Sequence, residues 1–283
     1  RQQQAAARRI GHATRRRQEE VAHAFRVGPR NVPLVERVAD RDRMDRWFIA
    51  VDQPAAIKLA GAGANVCLVD LNAAGLQETA GMLAASGVDA LVHACDLSEP
   101  DNCAGAVAAA VARFGRLDAL CNIAGIIFLA NSHEMPADQW HKTLAVNLSA
   151  PFFLSRAAIP HLLAANGAIV NVASSAAFIG EAYAAAYCAT KSGLVNLTKA
   201  MAMEYMKQPI RINAVAPGGM ITNIAVNFRP PEGCDIELLK RYAGLRGVVE
   251  VDDVADLVAY LACDAARGYH GACLSIDAGI TAG

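Results

Sequence analysis

The chain has no Cys-x-x-Cys pair, no Gly-x-Ser-x-Gly element and no lysine before Lys58. Its eight cysteines are Cys67, Cys95, Cys103, Cys121, Cys188, Cys234, Cys263 and Cys273. Zinc ligands normally come in closely spaced pairs, and no histidine cluster accompanies these thiols, so no metal site is expected. They read as buried free thiols of a reducing, cytoplasmic compartment. Only 19% of the 283 residues are charged and 6% aromatic, against 54% hydrophobic, which calls for a large buried core. A formal net charge of −1 gives no general attraction to nucleic acid or to an anionic membrane. The longest uncharged apolar run, about Ala119 to Ala130, is too short to cross a bilayer. The missing serine elbow argues against a hydrolase.

Charge of one sign is also scarce in part of the chain. Residues 1–53 hold 12 Arg against 7 acids, for +5, whereas the remaining 230 residues carry −6. All six lysines lie in the second part. This break divides the chain into an atypical Arg-rich segment, 1–53, and a domain, 54–283. The segment RQQQAAARRIGHATRRRQ reads as a solvated basic tail, with a transit-like peptide as a weaker alternative because serine is scarce.

From residue 54 onward strands and helices alternate. Helical spacing is expected over Ala55–Ala60, Asn72–Ala85, Ser98 or Asp101 to Phe114, Gln139–Ala165 with a joint near Pro151, Ala182–Met206 and Val251–Cys263. Ser98 or Asp101 is the expected cap of one helix, and Asp252 or Asp253 of the last. Strands are expected at Asn65–Val69, Ala90–Ala94, Leu117–Asn122, Ala168–Val172, Arg211–Val215 and Ala272–Ile276. Strands apolar on both faces and separated by helices predict an α/β fold, a doubly wound parallel sheet of Rossmann type covered on both sides. Ligands of such a sheet sit at the carboxyl ends of its strands.

The stretch AIKLAGAGANVCLVDLN ends in the manner of a nucleotide-binding strand, with an apolar run stopping at Asp70. The chemistry concentrates in GAIVNVASSAAFIGEAYAAAYCATKSGLVNLTKAM, residues 167–201. A strand delivers Ser174 at its carboxyl end, and Tyr187 and Lys191 follow at i and i+4 on one helix face. A free phenol has a pKa near ~10 and is a poor base at neutral pH. An ammonium within about 4–6 Å favours the phenolate and is expected to lower that value. Such a tyrosine exchanges a proton with an alcohol or carbonyl, while Ser174 binds the same oxygen. Tyr183 has no lysine four residues on, since that position is Tyr187.

These residues, YCATKSG with a serine thirteen positions before the tyrosine, resemble the short-chain dehydrogenase/reductase family. WHKTLAVNLSAPFFLSRAAIPHLL resembles the family helix bearing an active-site asparagine, which matches Asn147. LDALCNIAG resembles its Asn-Asn-Ala-Gly element, with Asn122, Ala124 and Gly125 matching and Ile123 departing. INAVAPGGMIT resembles the segment over the nicotinamide, through Pro217, Gly218 and Thr222, and LSIDAGITAG resembles the usual ending. The resemblance spans about residues 54–283. It implies hydride transfer between a nicotinamide cofactor and a secondary alcohol or ketone. In that scheme Tyr187 is the general acid/base, Lys191 binds the nicotinamide ribose and lowers the tyrosine pKa, and Ser174 holds the substrate oxygen. Asn147 supports a water-linked proton path to Lys191. Asp70, with no Arg at Leu71 or Asn72, points to NAD rather than NADP. Asp96 resembles the family acid next to the adenine. The stretch 222–244 occupies the substrate-loop position, and its Ile224, Val226, Phe228 and Tyr242 suit a moderately apolar substrate or ordinary packing. Family members usually pair long helices, which implies a homodimer or homotetramer.

One element is missing. The family's first strand ends in Thr-Gly-x-x-x-Gly-x-Gly, and the counterpart here, DRWFIAVD, contains no glycine. Bulky side chains hinder the close approach of backbone to a pyrophosphate. Gly61 and Gly63 follow a helix and precede a strand, the reverse of the required context. Three explanations stand: a change of reading frame upstream of Pro54, a shortened first strand WFIAV leading straight into a helix at Pro54, or a relative that has lost its cofactor. The last makes the chain a non-catalytic scaffold or binding module.

Overall fold

The computed structural model describes residues 53–222 and 229–282, together with the backbone of residues 47–50. The strands are β1 (Trp47–Ala50), β2 (Asn65–Asp70), β3 (Ala90–Ala94), β4 (Ala119–Asn122), β5 (Ala168–Val172), β6 (Arg211–Pro217) and β7 (Cys273–Ile276). They form one parallel sheet in the order β3-β2-β1-β4-β5-β6-β7. The order reverses between β1 and β4, and the crevice of a doubly wound sheet lies at that switch point. The expected fold class is therefore the one found.

The strand side chains alternate between two cores because successive residues face opposite sides of a sheet. Val66 and Leu68 join Ala119, Cys121, Ala168 and Val170 on one face. There α1 (Gln53–Gly61), α2 (Ala73–Leu83) and α8 (Val251–Ala262) cover them. Cys67, Val69, Leu120, Ile169 and Ile212 face the other side. That side is closed by α3 (Pro100–Phe114), α5 (Ala150–Ala165) and α6 (Ala185–Glu204). A short helix α7 (Ile236–Leu239) lies in the connection between β6 and α8, and α4 (Ala137–Leu144) precedes α5. Positions 137–165 make a 29-residue helical stretch, long and apolar enough by composition to cross a membrane. Here that stretch is a packing element, with Leu154, Ala158 and Leu162 buried against the sheet.

Several expected boundaries move for local reasons. The joint expected near Pro151 is a widened π-turn, Ala145–Ser149, just before it. Pro151 follows that turn directly, without an N–H to donate back into it. Neither Ser98 nor Asp101 caps α3. Glu99 holds the cap position without a side-chain bond, and Pro100 opens the helix. Likewise Glu250 precedes α8, and Asp252 and Asp253 sit in its first turn, where their charge complements the helix dipole. The strand at 47–50 pairs with β2 from Trp47↔Asn65 to Ala50↔Leu68, and with β4. Trp47–Ala50 thus belongs to the sheet, in line with the shortened first strand.

The start of β5 is packed too tightly for any side chain. After α5, Asn166 takes a left-handed conformation (φ 54°) and the Gly167 N–H donates to the Leu162 carbonyl at 2.8 Å. A Cβ on Gly167 would lie 2.6 Å from the Asp118 carbonyl oxygen and 2.8 Å from Leu162 Cδ2. Gly167→Ala should therefore push β5 from β4 and lower stability by about 1–3 kcal/mol. Chemical denaturation of the variant against wild type reads this directly.

Candidate active site

The carboxyl end of β5 and the first two turns of α6 meet beside the switch point. The chain leaves β5 through Ala173 to Ser174, which is 8% exposed and whose hydroxyl accepts the Ala176 N–H at 3.2 Å. Tyr187 and Lys191 project from the same face of α6, with the ammonium 5.6 Å from the centre of the phenol ring. Lys191 is only 3% exposed, and its Nζ donates to the Val172 carbonyl at 2.8 Å. The half-buried Tyr187 lines the same cleft as Ser174. Ser174, Tyr187 and Lys191 thus come together as the sequence expects.

The electrostatics differ from expectation. Burial pushes the Tyr187 phenol up to about 12, and the hydrogen bond to Ser174 only partly offsets it. Burial also pulls Lys191 down from 10.5 to about 8. Both groups share one low-dielectric site, and removing water disfavours both charges. The expected lowering of the tyrosine pKa is therefore corrected: burial raises it instead. Six residues before Tyr187, the Glu181 carboxyl is raised by burial to about 7 and acts on the tyrosine as a like charge, a neighbour the sequence did not announce.

Asn147 lies in the π-turn and is fully buried. Its Oδ1 accepts the Ile126 N–H at 2.8 Å, and its Nδ2 donates to the Ile126 carbonyl at 2.8 Å and to Thr190 Oγ1 at 3.3 Å. The amide thus ties the loop after β4 to α6. A Cβ added at Gly125 would sit 3.5 Å from Lys191 Nζ and 3.6 Å from Asn147 Oδ1, so backbone, ammonium and amide converge there. Asn122 is turned elsewhere. Its Nδ2 donates to Asn171 Oδ1 at 2.7 Å, inside the sheet, and it lines neither of the two large clefts.

A cleft of about 300 Å³ is lined by Ser174, Tyr187, Lys191, Pro217, Gly218 and Thr222, and by Asp70, Ala124 and Gly125. Met220 and, from α8, Val251 and Val254 complete it. These three lack any pattern that singles them out as site residues. A second cleft of about 530 Å³ shares Asp70, Ala124 and Gly125 and adds Asp96 and Lys142. Asp70 Oδ1 accepts the Asn72 N–H at 2.8 Å at the end of β2. Asp96 is engaged more fully. Lys142 bonds both its oxygens, at 3.2 and 2.9 Å, and Ser98 bonds Oδ1. These bonds hold its carboxyl down at about 2. Lys142 lies 46 residues away, on α4, so sequence spacing gave no hint of the pair.

Tyr183 plays no part in the cleft. It adopts φ 66°, and its hydroxyl accepts the Asp235 N–H at 2.8 Å. Tyr242 donates from its hydroxyl to the Ala182 carbonyl. Ile224, Val226 and Phe228 of the expected substrate loop lie outside the described residues. No cluster of metal-ligating side chains occurs among the described residues.

A nicotinamide dinucleotide, tested against these residues, fits at its two nucleoside ends. Lys191, Tyr187 and the Pro217–Gly218 turn stand at one end, and Asp70 with the larger cleft at the other. Between them the fit fails. β1 stops at Ala50, paired with Leu68 and two positions short of Asp70. Only Val51 and Asp52 separate it from α1, and neither is glycine.

The buried ammonium has a cost that can be measured. Unfolded, Lys191 holds its proton to about 10.5, and folded only to about 8. Between these values the unfolded chain binds more protons, so this group makes stability rise with pH. Lys191→Met should be more stable than wild type at pH 7, by about 1–3 kcal/mol at ~1.4 kcal/mol per pKa unit. The advantage should fade as pH climbs from about 8 toward 10.5. Denaturant melts of both proteins at pH 7 and pH 9.5 give the comparison.

Comparison with known proteins agrees with this geometry. A family model described as enoyl-(acyl carrier protein) reductase matches residues 53–281. D-threitol dehydrogenase of Mycolicibacterium smegmatis is 36% identical over 223 residues, covering 77% of this chain and 84% of that protein. A 2,5-dichloro-2,5-cyclohexadiene-1,4-diol dehydrogenase of Sphingobium indicum is 36% identical, covering 81% and 90%. A crystal structure from Sinorhizobium meliloti 1021, described as a short-chain alcohol dehydrogenase, superposes with a TM-score of 0.76. It is 32% identical and covers 84% of this chain and 97% of its own. The chain belongs to the short-chain dehydrogenase/reductase family of oxidoreductases.

Proposed function

We propose that the protein is an NAD-dependent oxidoreductase that interconverts a secondary alcohol and the corresponding ketone. The observation that carries this reading is the buried Lys191 ammonium beside the Tyr187 ring, with Ser174, Tyr187 and Lys191 lining one cleft. The similar proteins named for threitol and cyclohexadienediol dehydrogenation support a hydroxyl-bearing small molecule as substrate.

In this scheme Ser174 and Tyr187 bind the reacting oxygen from two sides. During reduction of a ketone, Tyr187 donates its proton as negative charge grows on that oxygen. A phenol held near 12 is fully protonated at neutral pH and suited to this task. During oxidation of an alcohol, Tyr187 first releases its own proton to solvent, the charged Lys191 stabilises the resulting phenolate, and the phenolate then takes the proton of the substrate hydroxyl. That assistance is present below about pH 8 and fades above it, where Lys191 loses its own proton. Asn147 keeps residues 125–126 pressed against the ammonium. Hydride transfer at the substrate carbon is the chemistry a bound nicotinamide would supply. Lys191 would hold its nicotinamide ribose, the Pro217–Gly218 turn and Thr222 would lie along its nicotinamide, and Ala124 and Gly125 would face its middle. Asp70 would accept from the adenosine ribose hydroxyls and repel a 2′-phosphate, which favours NAD over NADP. Asp96 would stand near the adenine, its charge already balanced by Lys142.

The eight free cysteines fit a reducing cytoplasm. The Arg-rich residues upstream of the first strand are a separate segment in this reading, and the apolar long helices suit a homodimer or homotetramer. A second reading, a non-catalytic relative that keeps the fold for binding or assembly, is favoured by the glycine-free connection between β1 and α1.

Oxidation of cyclohexanol or a short diol by the full chain with NAD, followed through NADH fluorescence, separates the two. Turnover is expected, and Tyr187→Phe should cut it by about 10²–10⁴-fold with the fold unchanged by circular dichroism. Turnover that survives the loss of this hydroxyl would refute the assignment of the proton-transfer group.

A further inference from the structure

Glu181 stands beside the reacting tyrosine without a task in the proton transfer. It lies between the end of β5 and the start of α6, in a segment fastened from three sides. Its own N–H donates to Cys188 Sγ at 3.4 Å, which ties it to the turn of α6 that carries Tyr187. From the loop after β4, the Ala130 N–H donates to the Tyr183 carbonyl at 2.9 Å. From the connection between β6 and α8, Tyr242 donates to the Ala182 carbonyl, and the Asp235 N–H donates to the Tyr183 hydroxyl at 2.8 Å. Backbone and neighbours therefore hold Glu181 in place, and its carboxyl is not needed for that.

The carboxyl has no hydrogen-bond or ion-pair partner among the described residues. Yet the residue is half-buried, and it acts as a like charge on the Tyr187 and Tyr242 phenols and the Cys188 thiol, which places its carboxyl among these three groups. Burial raises it to about 7. A carboxyl withdrawn from water without a partner is costly, and such a group in a folded protein calls for an explanation. Asp96, at the other cleft, has the usual remedy in Lys142 and Ser98. Glu181 has neither, and the phenol it stands beside lines the cleft together with Ser174.

We infer that Glu181 is a specificity-determining residue whose carboxyl binds a second hydroxyl of the substrate, on the carbon next to the reacting one, so that vicinal diols and polyols are the substrate class. This rests on the proposed oxidoreductase reading and deepens it by naming what that site accepts. The carboxyl is near enough to the Tyr187 phenol to act on its charge, which puts the second hydroxyl close to the reacting oxygen, as on a neighbouring carbon. A carboxyl titrating near neutrality both donates and accepts, and a hydroxyl matches it in both roles. An amine in that place would bring a second cation near the Lys191 ammonium, 5.6 Å from the centre of the same ring. A substrate without the second group leaves the carboxyl unpaired and is disfavoured for that reason.

The test compares cyclohexane-1,2-diol, 2-aminocyclohexanol and cyclohexanol as substrates of the full chain with NAD, with kcat/KM read through NADH fluorescence. The diol is expected to exceed cyclohexanol by about tenfold or more. Glu181→Leu should bring that ratio down to about one, and Glu181→Gln, which keeps a hydrogen-bonding group, should retain part of it. Each ratio is taken within one protein, so a general loss of activity cancels. A ratio of about one in the unaltered chain would overturn the inference and leave the functional reading in place. A ratio that both variants leave unchanged would do the same. Preference for the amino alcohol over the diol would also overturn it. A folded chain that turns over none of the three would overturn the inference and the oxidoreductase reading together.

Discussion

The site depends on one buried charge. Lys191 is 3% exposed and holds its ammonium against the Val172 carbonyl, at the point where β5 hands the chain to Ser174. An ammonium taken out of water is costly unless paired with oxygen. Here a backbone carbonyl, the phenol ring and the turn at Gly125 surround it. The sheet register fixes Val172 opposite Val215, and α6 fixes Tyr187 one turn from the lysine. The fold therefore supplies a rigid socket, and the lysine pays for occupying it with a lowered pKa.

That arrangement explains why so many polar groups are buried without contacting the cleft. Asn122 donates to Asn171, and Asn171 donates to Thr198 at 2.9 Å, so an amide ladder crosses from β4 through β5 to α6. Ser155 accepts weakly from the same Asn122 at 3.5 Å and donates to the Pro151 carbonyl at 2.6 Å. Asn147 performs the same service at the π-turn. Each bond is worth about a kilocalorie. Their combined effect is to hold α6 in one position along β5, and a shift of α6 would separate Tyr187 from Ser174. Preorganisation of this kind is what lets a catalytic group act without reorganising its surroundings.

Much of this was legible in the residues. Strand and helix follow from the alternation of apolar segments, and the i, i+4 spacing of Tyr187 and Lys191 is a property of any helix. Properties that depend on what packs from far along the chain were not legible. The Lys142–Asp96 pair joins α4 to the end of β3 across 46 positions. The direction of the Asn122 amide depends on Asn171, 49 positions away. The sign of the tyrosine shift depended on burial, which a local motif does not contain: a cation nearby argues for a lowered pKa, and only the closed site reverses it. Asn147 was legible as a polar residue near a helix joint, but its bonds to Ile126 require the loop after β4 to fold back over it.

The departure at the first strand follows from the same separation of causes. Sheet formation asks of β1 only extended backbone that pairs with β2 and β4, and residues 47–50 supply it. Phosphate binding asks for something that pairing does not need: glycines at particular positions after the strand, and open N–H groups at the start of the helix. A segment can therefore meet the first demand and fail the second. β1 and α1 still complete the sheet and the first core, and the socket around Lys191 remains because its contacts lie in β5, α6 and the turn at Gly125. In the proposed reading, the groups left to hold a cofactor are the carboxylate ending β2 and the lysine and tyrosine of α6. The socket around Lys191 supports the chemistry in that reading, and it does not depend on glycines between β1 and α1.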